Sequence, residues 1–454
     1  MKMGAVVATP KPATGSVGAV IFWRREGRTM TSGLSAFEAA AVLIVLSAAF
    51  AWINQRWFKL PSTVALTMMG AVASLVILAV DFLTPATDLA GTVSRFLEGI
   101  DFHEALMDGM LSFLLFAGAM HVDIDDLRKG RWQIAVLSTI GVVASTLMVG
   151  FGFWGLSSAV GLAVPMIWCL VFGALISPTD PVAVMGVLKT ARVPPTLQAT
   201  IAGESLFNDG VGVVIFSILL ATAVSGEPFS FMHAGEMFVV EAMGGAALGL
   251  AVGWIGYWAM KAIDDYSVET LITLAVVMGG YALASAIHVS GPVAMAVAGL
   301  LIGNRGVAQA MSQKTRDYLL GFWALIDEIL NAVLFLLIGL EALVVIDRFG
   351  LIGLGLLTIP LVLVARAISV GVPLSMWRDL LPFRMAFPIF VWGGLRGGIS
   401  IALALSLPGG PIKDILVAVT YVVVLFSVLV QGGTIKSLIG RVAGPAEDEG
   451  VPHG

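Results

Sequence analysis

The sequence contains a single cysteine, Cys169, so internal disulfides and cysteine-based metal sites are excluded. Its five histidines, His103, His121, His233, His288 and His453, show no paired metal-ligand spacing. Neither an HExxH nor a GxSxG motif occurs, which removes the usual machinery of a membrane-embedded hydrolase. Charge is also scarce. Only 12% of residues are Asp, Glu, Lys or Arg, against about 25% in soluble domains. The formal net charge of −5 is spread over loops and offers nothing to nucleic acid. No cofactor is expected.

What is abundant is apolar sequence, at 58% of residues, which places the chain among integral membrane proteins. A membrane span needs about 20 mostly apolar residues. Reading for such stretches yields thirteen, near 36–55, 61–80, 104–121, 132–156, 164–190, 195–222, 232–260, 267–288, 290–304, 317–345, 351–376, 385–407 and 412–434. The predicted fold class is an all-α polytopic membrane protein. Residues 36–434 would form the transmembrane domain and 435–454 a short cytoplasmic tail. Residues 1–35 read as a disordered extension: the basic cluster Arg24, Arg25 and Arg28 follows the short apolar piece, the reverse of a signal peptide. Met30 is the alternative start.

Lys and Arg crowd the odd-numbered loops, with Arg56, Lys59, Arg128, Lys129, Arg131, Lys189, Arg192, Lys261, Arg305, Lys314, Arg316, Arg378 and Arg384. Even-numbered loops carry only Arg95, Arg348 and Lys413. The positive-inside rule then puts the C-terminus in the cytoplasm and the N-terminus outside. The basic 1–29 segment runs against this bias, and a start at Met30 removes it.

Thirteen spans divide into six, a linker and six, so the two sixes have opposite orientation, as in the inverted repeats of secondary transporters. The fifth span of each half is interrupted. In the first half the interruption is Ser177, Pro178, Thr179, Asp180 and Pro181, where two prolines remove backbone donors and push their preceding residues out of the helix. In the second half it is Gly393, Gly394, Arg396, Gly397 and Gly398. Non-helical backbone at membrane depth is tolerated only against protein or a water-filled cavity.

The sixth span carries Glu204, Ser205, Asn208 and Asp209 within an apolar run. Glu204 and Asn208 are spaced i,i+4, as are Ser205 and Asp209, so the four share one broad face. Carboxylate, hydroxyl, amide and backbone carbonyl oxygens can replace the hydration of a hard monovalent cation. A carboxylate at low dielectric is stabilised by either a proton or a cation, each displacing the other, and that competition is the minimal chemistry of an exchanger. Arg366 and Arg396 also fall within spans and need buried carboxylates as partners. Asp180, Glu204 and Asp209 against these two arginines leave one net negative charge, room for one proton or one monovalent cation. Asp327, Glu328, Asn331 and Glu341 of the tenth span suit structural or gating roles. Asp108, Glu241 and Glu269 fit span ends or a cavity wall equally well.

SPTDPVAV followed by GESLFNDGVGVV resembles the signature of the bacterial NhaP-type sodium/proton antiporters, in the cation:proton antiporter family that includes the animal sodium/proton exchangers. FLLFAGAMHVDIDDLRKG, DEILNAVLFLLIGLE and WGGLRGGISIALALSLP are similar to further characteristic stretches, so the resemblance covers nearly all of residues 36–434. It implies two inverted six-helix repeats whose broken fifth and twelfth helices cross, a core bundle sliding against a dimerisation domain, and a homodimer in the bacterial inner membrane. It further implies that Asp209 is the ion- and proton-binding acid. Thr179 would add a main-chain carbonyl, and Ser205 and Asp180 direct or water-mediated oxygens to Na+. Glu204 would pair with Arg366, and Arg396 would neutralise the half-helix ends. Asn208 stands where the electrogenic branch has a second Asp, which implies electroneutral exchange of one proton for one cation. A potassium/proton antiporter of the same fold, with K+ or Li+ as alternative cargo, is the nearest competing reading. A cation channel is a more distant one, because two interrupted spans favour alternating access over a filter.

Overall fold

The computed structural model describes residues 36–84, 91, 93, 109–188, 191, 193–226, 229–307, 311–341, 349–377 and 382–443. The proposed extension 1–35, most of the 81–103 connection, Asp108 and the tail beyond 443 lie outside the described residues.

All thirteen apolar stretches contain helix in their described residues. The first span is Ala36–Ile53, continued by a π-helical turn over Asn54–Phe58; the second is Ser62–Leu83 and the third Leu111–Met120. A short helix, Ile124–Lys129, leads to the fourth span, Arg131–Ser138 and Ile140–Ala159. The fifth comes in two pieces, Met166–Ile176 and Val182–Leu188, and the sixth is Pro195–Ser225. Phe231–Lys261, Tyr266–Ala286 and Gly291–Leu301 are the seventh, eighth and ninth, the last extended by a π turn over Ile302–Gly306. Gln313–Leu340 and Phe349–Met376 are the tenth and eleventh. The twelfth is again divided, into Phe383–Gly393 and Gly398–Leu405. The thirteenth runs as Pro411–Phe426, a π turn over Ser427–Gly432, and Gly433–Ala443.

Among the described residues, nine helices are long and apolar enough to cross a membrane unaided. The other four spans fall short for visible reasons. The fifth and twelfth are broken, the third starts at the edge of the described residues, and the ninth is short. Local chemistry sets many boundaries. Asp265 caps the eighth span by accepting from Ser267 and Val268 N–H, and Ser290 and Ser312 do the same for the ninth and tenth. Pro195 starts the sixth span, where its missing N–H costs nothing, and Gly226 ends it in the left-handed region at φ 69°.

The helices sort into two bundles. Spans 4–6 pack with spans 11–13, while spans 1–3 pack with spans 7–10. The pairings repeat between the halves: the second span lies on the tenth as the ninth lies on the third, and the fifth and sixth pair as the twelfth and thirteenth do. This is the contact pattern of an inverted repeat. Small residues bring the backbones together. At Gly339 an added Cβ would lie 2.5 Å from the Thr67 carbonyl, which is how closely the tenth span presses on the second. The seam between bundles runs where the sixth span meets the ninth and the second meets the end of the thirteenth.

Candidate functional site

The two broken spans meet at their breaks. Asp180 N–H donates to the Leu395 carbonyl at 2.8 Å, an isolated antiparallel bridge between otherwise helical segments. Prolines make the first break. The second depends on glycine, because a Cβ at Gly394 would lie 2.5 Å from Arg366 Nε and one at Gly397 would lie 2.8 Å from Asp180 Oδ2.

Most of the free backbone groups at the first break have partners. Ser177 Oγ lies 2.7 Å from the Gly173 carbonyl and 3.0 Å from Ser145 Oγ. The carbonyls of Ser177 and Pro178 both accept from Arg396 Nη1, the second at 3.0 Å. The Thr179 carbonyl accepts from Ser205 Oγ, and Thr179 N–H donates to Asn208 Oδ1 at 3.3 Å. Asp180 Oδ1 accepts from Val182 N–H at 2.8 Å and so caps the second half-helix. An unwound segment in the membrane interior survives because side chains from the sixth and twelfth spans replace its lost helical bonds.

The sixth span carries the rest. Asn208 is wholly buried and fully engaged: Nδ2 donates to Thr179 Oγ1 at 2.7 Å and to Glu204 Oε1 at 2.9 Å. Glu204 in turn binds Arg366 of the eleventh span in a two-pronged pair, Nη1 to Oε1 at 2.8 Å and Nη2 to Oε2 at 3.1 Å. Arg366 Nε reaches the Phe390 carbonyl at 3.2 Å. Asp209, one turn beyond Ser205, differs from these neighbours. It is 7% exposed, and its Oδ1 has no hydrogen-bond partner among the described residues. Asp180 and Glu204 lie within electrostatic reach of it. The next residue, Gly210, abuts Val293 of the ninth span, so Asp209 sits where the two bundles face each other.

The eight residues singled out from the sequence, Thr179, Asp180, Glu204, Ser205, Asn208, Asp209, Arg366 and Arg396, therefore cluster around the paired breaks. Arg396 is 2% exposed and faces carbonyls rather than a carboxylate; its Nε and Nη2 have no partner among the described residues. In the tenth span Asn331 Nδ2 donates to Asp327 Oδ1 at 3.2 Å, and Asp327 interacts electrostatically with Asp180. Glu328 is exposed, and Glu341 and Glu241 are half-buried. Glu269 is buried at the start of the eighth span. Sequence reading passed over Ser145, Ser427 and Gln431. Serine and glutamine carry no charge, and nothing local marks one polar residue in a span as facing a break.

Two crossed, interrupted helices with buried acids at the crossing, in a multi-pass helical protein, define a secondary transporter. The chain belongs to the sodium/hydrogen exchanger family, whose transmembrane region matches residues 44–440. It is 44% identical over 411 residues to the Na(+)/H(+) antiporter NhaP of Pseudomonas aeruginosa, covering 89% of this chain and 96% of the relative. It is 31% identical over 394 residues to the Na(+)/H(+) antiporter NhaH of Halobacillus dabanensis, covering 85% and 93%. The solved sodium proton antiporter MjNhaP1 of Methanocaldococcus jannaschii superposes with a TM-score of 0.70 at 22% identity, covering 90% of this chain and 99% of that one. The chain thus has the antiporter fold and belongs among transporters, not enzymes.

Proposed function

We propose that this protein exchanges sodium for protons across the membrane, one for one, with both competing for Asp209. One observation carries this reading: Asp209 is a buried carboxylate with an unpartnered oxygen, placed at the seam of two bundles beside an unwound, carbonyl-rich stretch. The neighbouring Glu204, Ser205 and Asn208 are already committed to protein partners, which favours Asp209 as the group that changes partner. The Thr179 carbonyl, Ser205 hydroxyl and Asp180 carboxylate complete an oxygen-rich set suited to a hard monovalent cation.

The charge balance supports the stoichiometry. Asp180, Glu204 and Asp209 are offset by Arg366 and Arg396, leaving one negative charge for one proton or one sodium ion. Asn208 supplies no second titrating acid, and its amide is consumed by Thr179 and Glu204. Transport by this route occurs when one bundle slides past the other and exposes Asp209 to alternate sides. The Lys and Arg bias of the odd-numbered loops supports a cytoplasmic C-terminus. The family resemblance supports a bacterial inner-membrane homodimer.

The test is a proteoliposome assay in which Li+, Na+ or K+ is added outside vesicles holding a pH gradient. Sodium dissipates the gradient, and the rate is unchanged when the membrane potential is clamped at different values. A rate that follows the potential contradicts one-for-one exchange, and dissipation by potassium alone replaces sodium as the cargo.

A further inference from the structure

Two side chains of the thirteenth span, Ser427 and Gln431, have no role in the cation-site reading, yet they are 1% and 3% exposed and bonded across the second break. Ser427 Oγ accepts from the Arg396 backbone N–H at 2.8 Å. The Ser427 hydroxyl donates to Gln431 Oε1 at 2.7 Å, and Gln431 Nε2 donates to the Trp392 carbonyl at 3.1 Å. A continuous path therefore runs from the first half of the twelfth span, through the thirteenth, to Arg396 on the far side of Gly394.

Three further observations mark this path. The thirteenth span leaves α-helical geometry over Ser427–Gly432, the stretch that presents both side chains, and π turns within helices concentrate at functional positions. The first half of the chain contains the same device, where Asn208 of the sixth span accepts from the Thr179 N–H inside the fifth-span break. In both halves a polar side chain on the last span holds one backbone N–H of the break before it. Finally, Arg396 rests on the Ser177 and Pro178 carbonyls through Nη1 alone, while Gln431, Arg396 and Arg366 line one small cavity between the last three spans. With no carboxylate gripping the guanidinium, its placement depends on where its own backbone is held.

We infer that Ser427, keyed by Gln431, is a positioning residue that sets where the Arg396 guanidinium meets the fifth-span carbonyls, and so how tightly the cation is bound. The inference rests on the reading of Asp209 and Thr179 as cation ligands. Ser177 and Pro178 lend their carbonyls to Arg396, while the next carbonyl along, that of Thr179, borders the site. A guanidinium released from its register would carry its positive charge toward the cation and disturb that carbonyl.

The full chain in proteoliposomes provides the test. Ser427→Ala raises the apparent KM for Na+ roughly fivefold to tenfold, the factor one ordinary hydrogen bond conveys, and leaves the maximal rate within about twofold. Ser427→Thr keeps the acceptor and returns KM to within about twofold of wild type. Gln431→Leu frees the Ser427 hydroxyl from its key and raises KM in the same direction by a smaller factor. It carries the test should Ser427→Ala not be recovered folded. A wild-type KM in these variants, with or without a lower maximal rate, overturns the inference, since a scaffold contact alone would act that way. The outcome stays separable from the site reading, which fails if Asp209→Asn still exchanges.

Discussion

Asp209→Asn, reconstituted into vesicles, leaves a pH gradient standing when sodium is added, at the rate of protein-free liposomes. The substitution preserves volume and replaces one acceptor oxygen by an amide NH2, so the sixth span keeps its place against the fifth. What disappears is the ability to take up a proton and the negative charge that holds a cation. Asp209 has a buried oxygen without a hydrogen-bond partner among the described residues, whereas Asp180 caps a half-helix through Oδ1 and Glu204 is bound on both oxygens. No neighbour can assume its task. Exchange at a wild-type rate by this variant would remove Asp209 from the mechanism.

The second large effect falls on stability. Glu204 and Arg366 tie the sixth span to the eleventh with side chains 2% and 8% exposed. Removing one partner from such a buried pair typically costs about 3–5 kcal/mol, because the other charge is left unpaired in an apolar interior. Arg366→Ala therefore lowers the thermal unfolding midpoint of the purified protein sharply. The double variant Glu204→Leu/Arg366→Leu recovers much of the loss, since a buried pair can often be replaced by well-packed apolar groups at little cost. It also strips Asn208 of its Glu204 acceptor, so recovered stability comes without recovered transport. A single variant as stable as wild type would show that the pair does not hold the bundle together.

Much of this was legible in the sequence because the membrane imposes few solutions. Apolar runs of span length must be helices, and the closely spaced Pro178 and Pro181 and the four glycines around Arg396 interrupt two of them, while single prolines such as Pro360 and Pro373 stay inside an unbroken helix. The acids of the sixth span share a face by helical geometry alone, so their convergence on Thr179 and Asp180 needed only the two spans to be neighbours. Two features were hidden for a physical reason. The division into two bundles depends on which apolar faces meet, and apolar faces look alike in sequence. The capping of Arg396 by Ser427 joins uncharged groups 31 positions apart, with no periodicity to flag it.

On the reading proposed above, the repeat also accounts for a single cation site at Asp209 rather than two. The place in the second half that matches Asn208–Asp209 is Ser427–Val428, which has no acid, and beside it stands the Arg396 guanidinium in the position of a permanent cation. In that proposal, a fixed charge on one side of the crossing and an exchangeable one on the other leave a site that takes one further positive charge.

That claim is tested most directly by counting protons. Purified protein in weakly buffered detergent solution, titrated with sodium chloride near the midpoint of its activity, should release about one proton per sodium ion bound, and the Asp209→Asn variant should release none. Release of two protons, or sodium binding with no release at all, would contradict competition at a single acid.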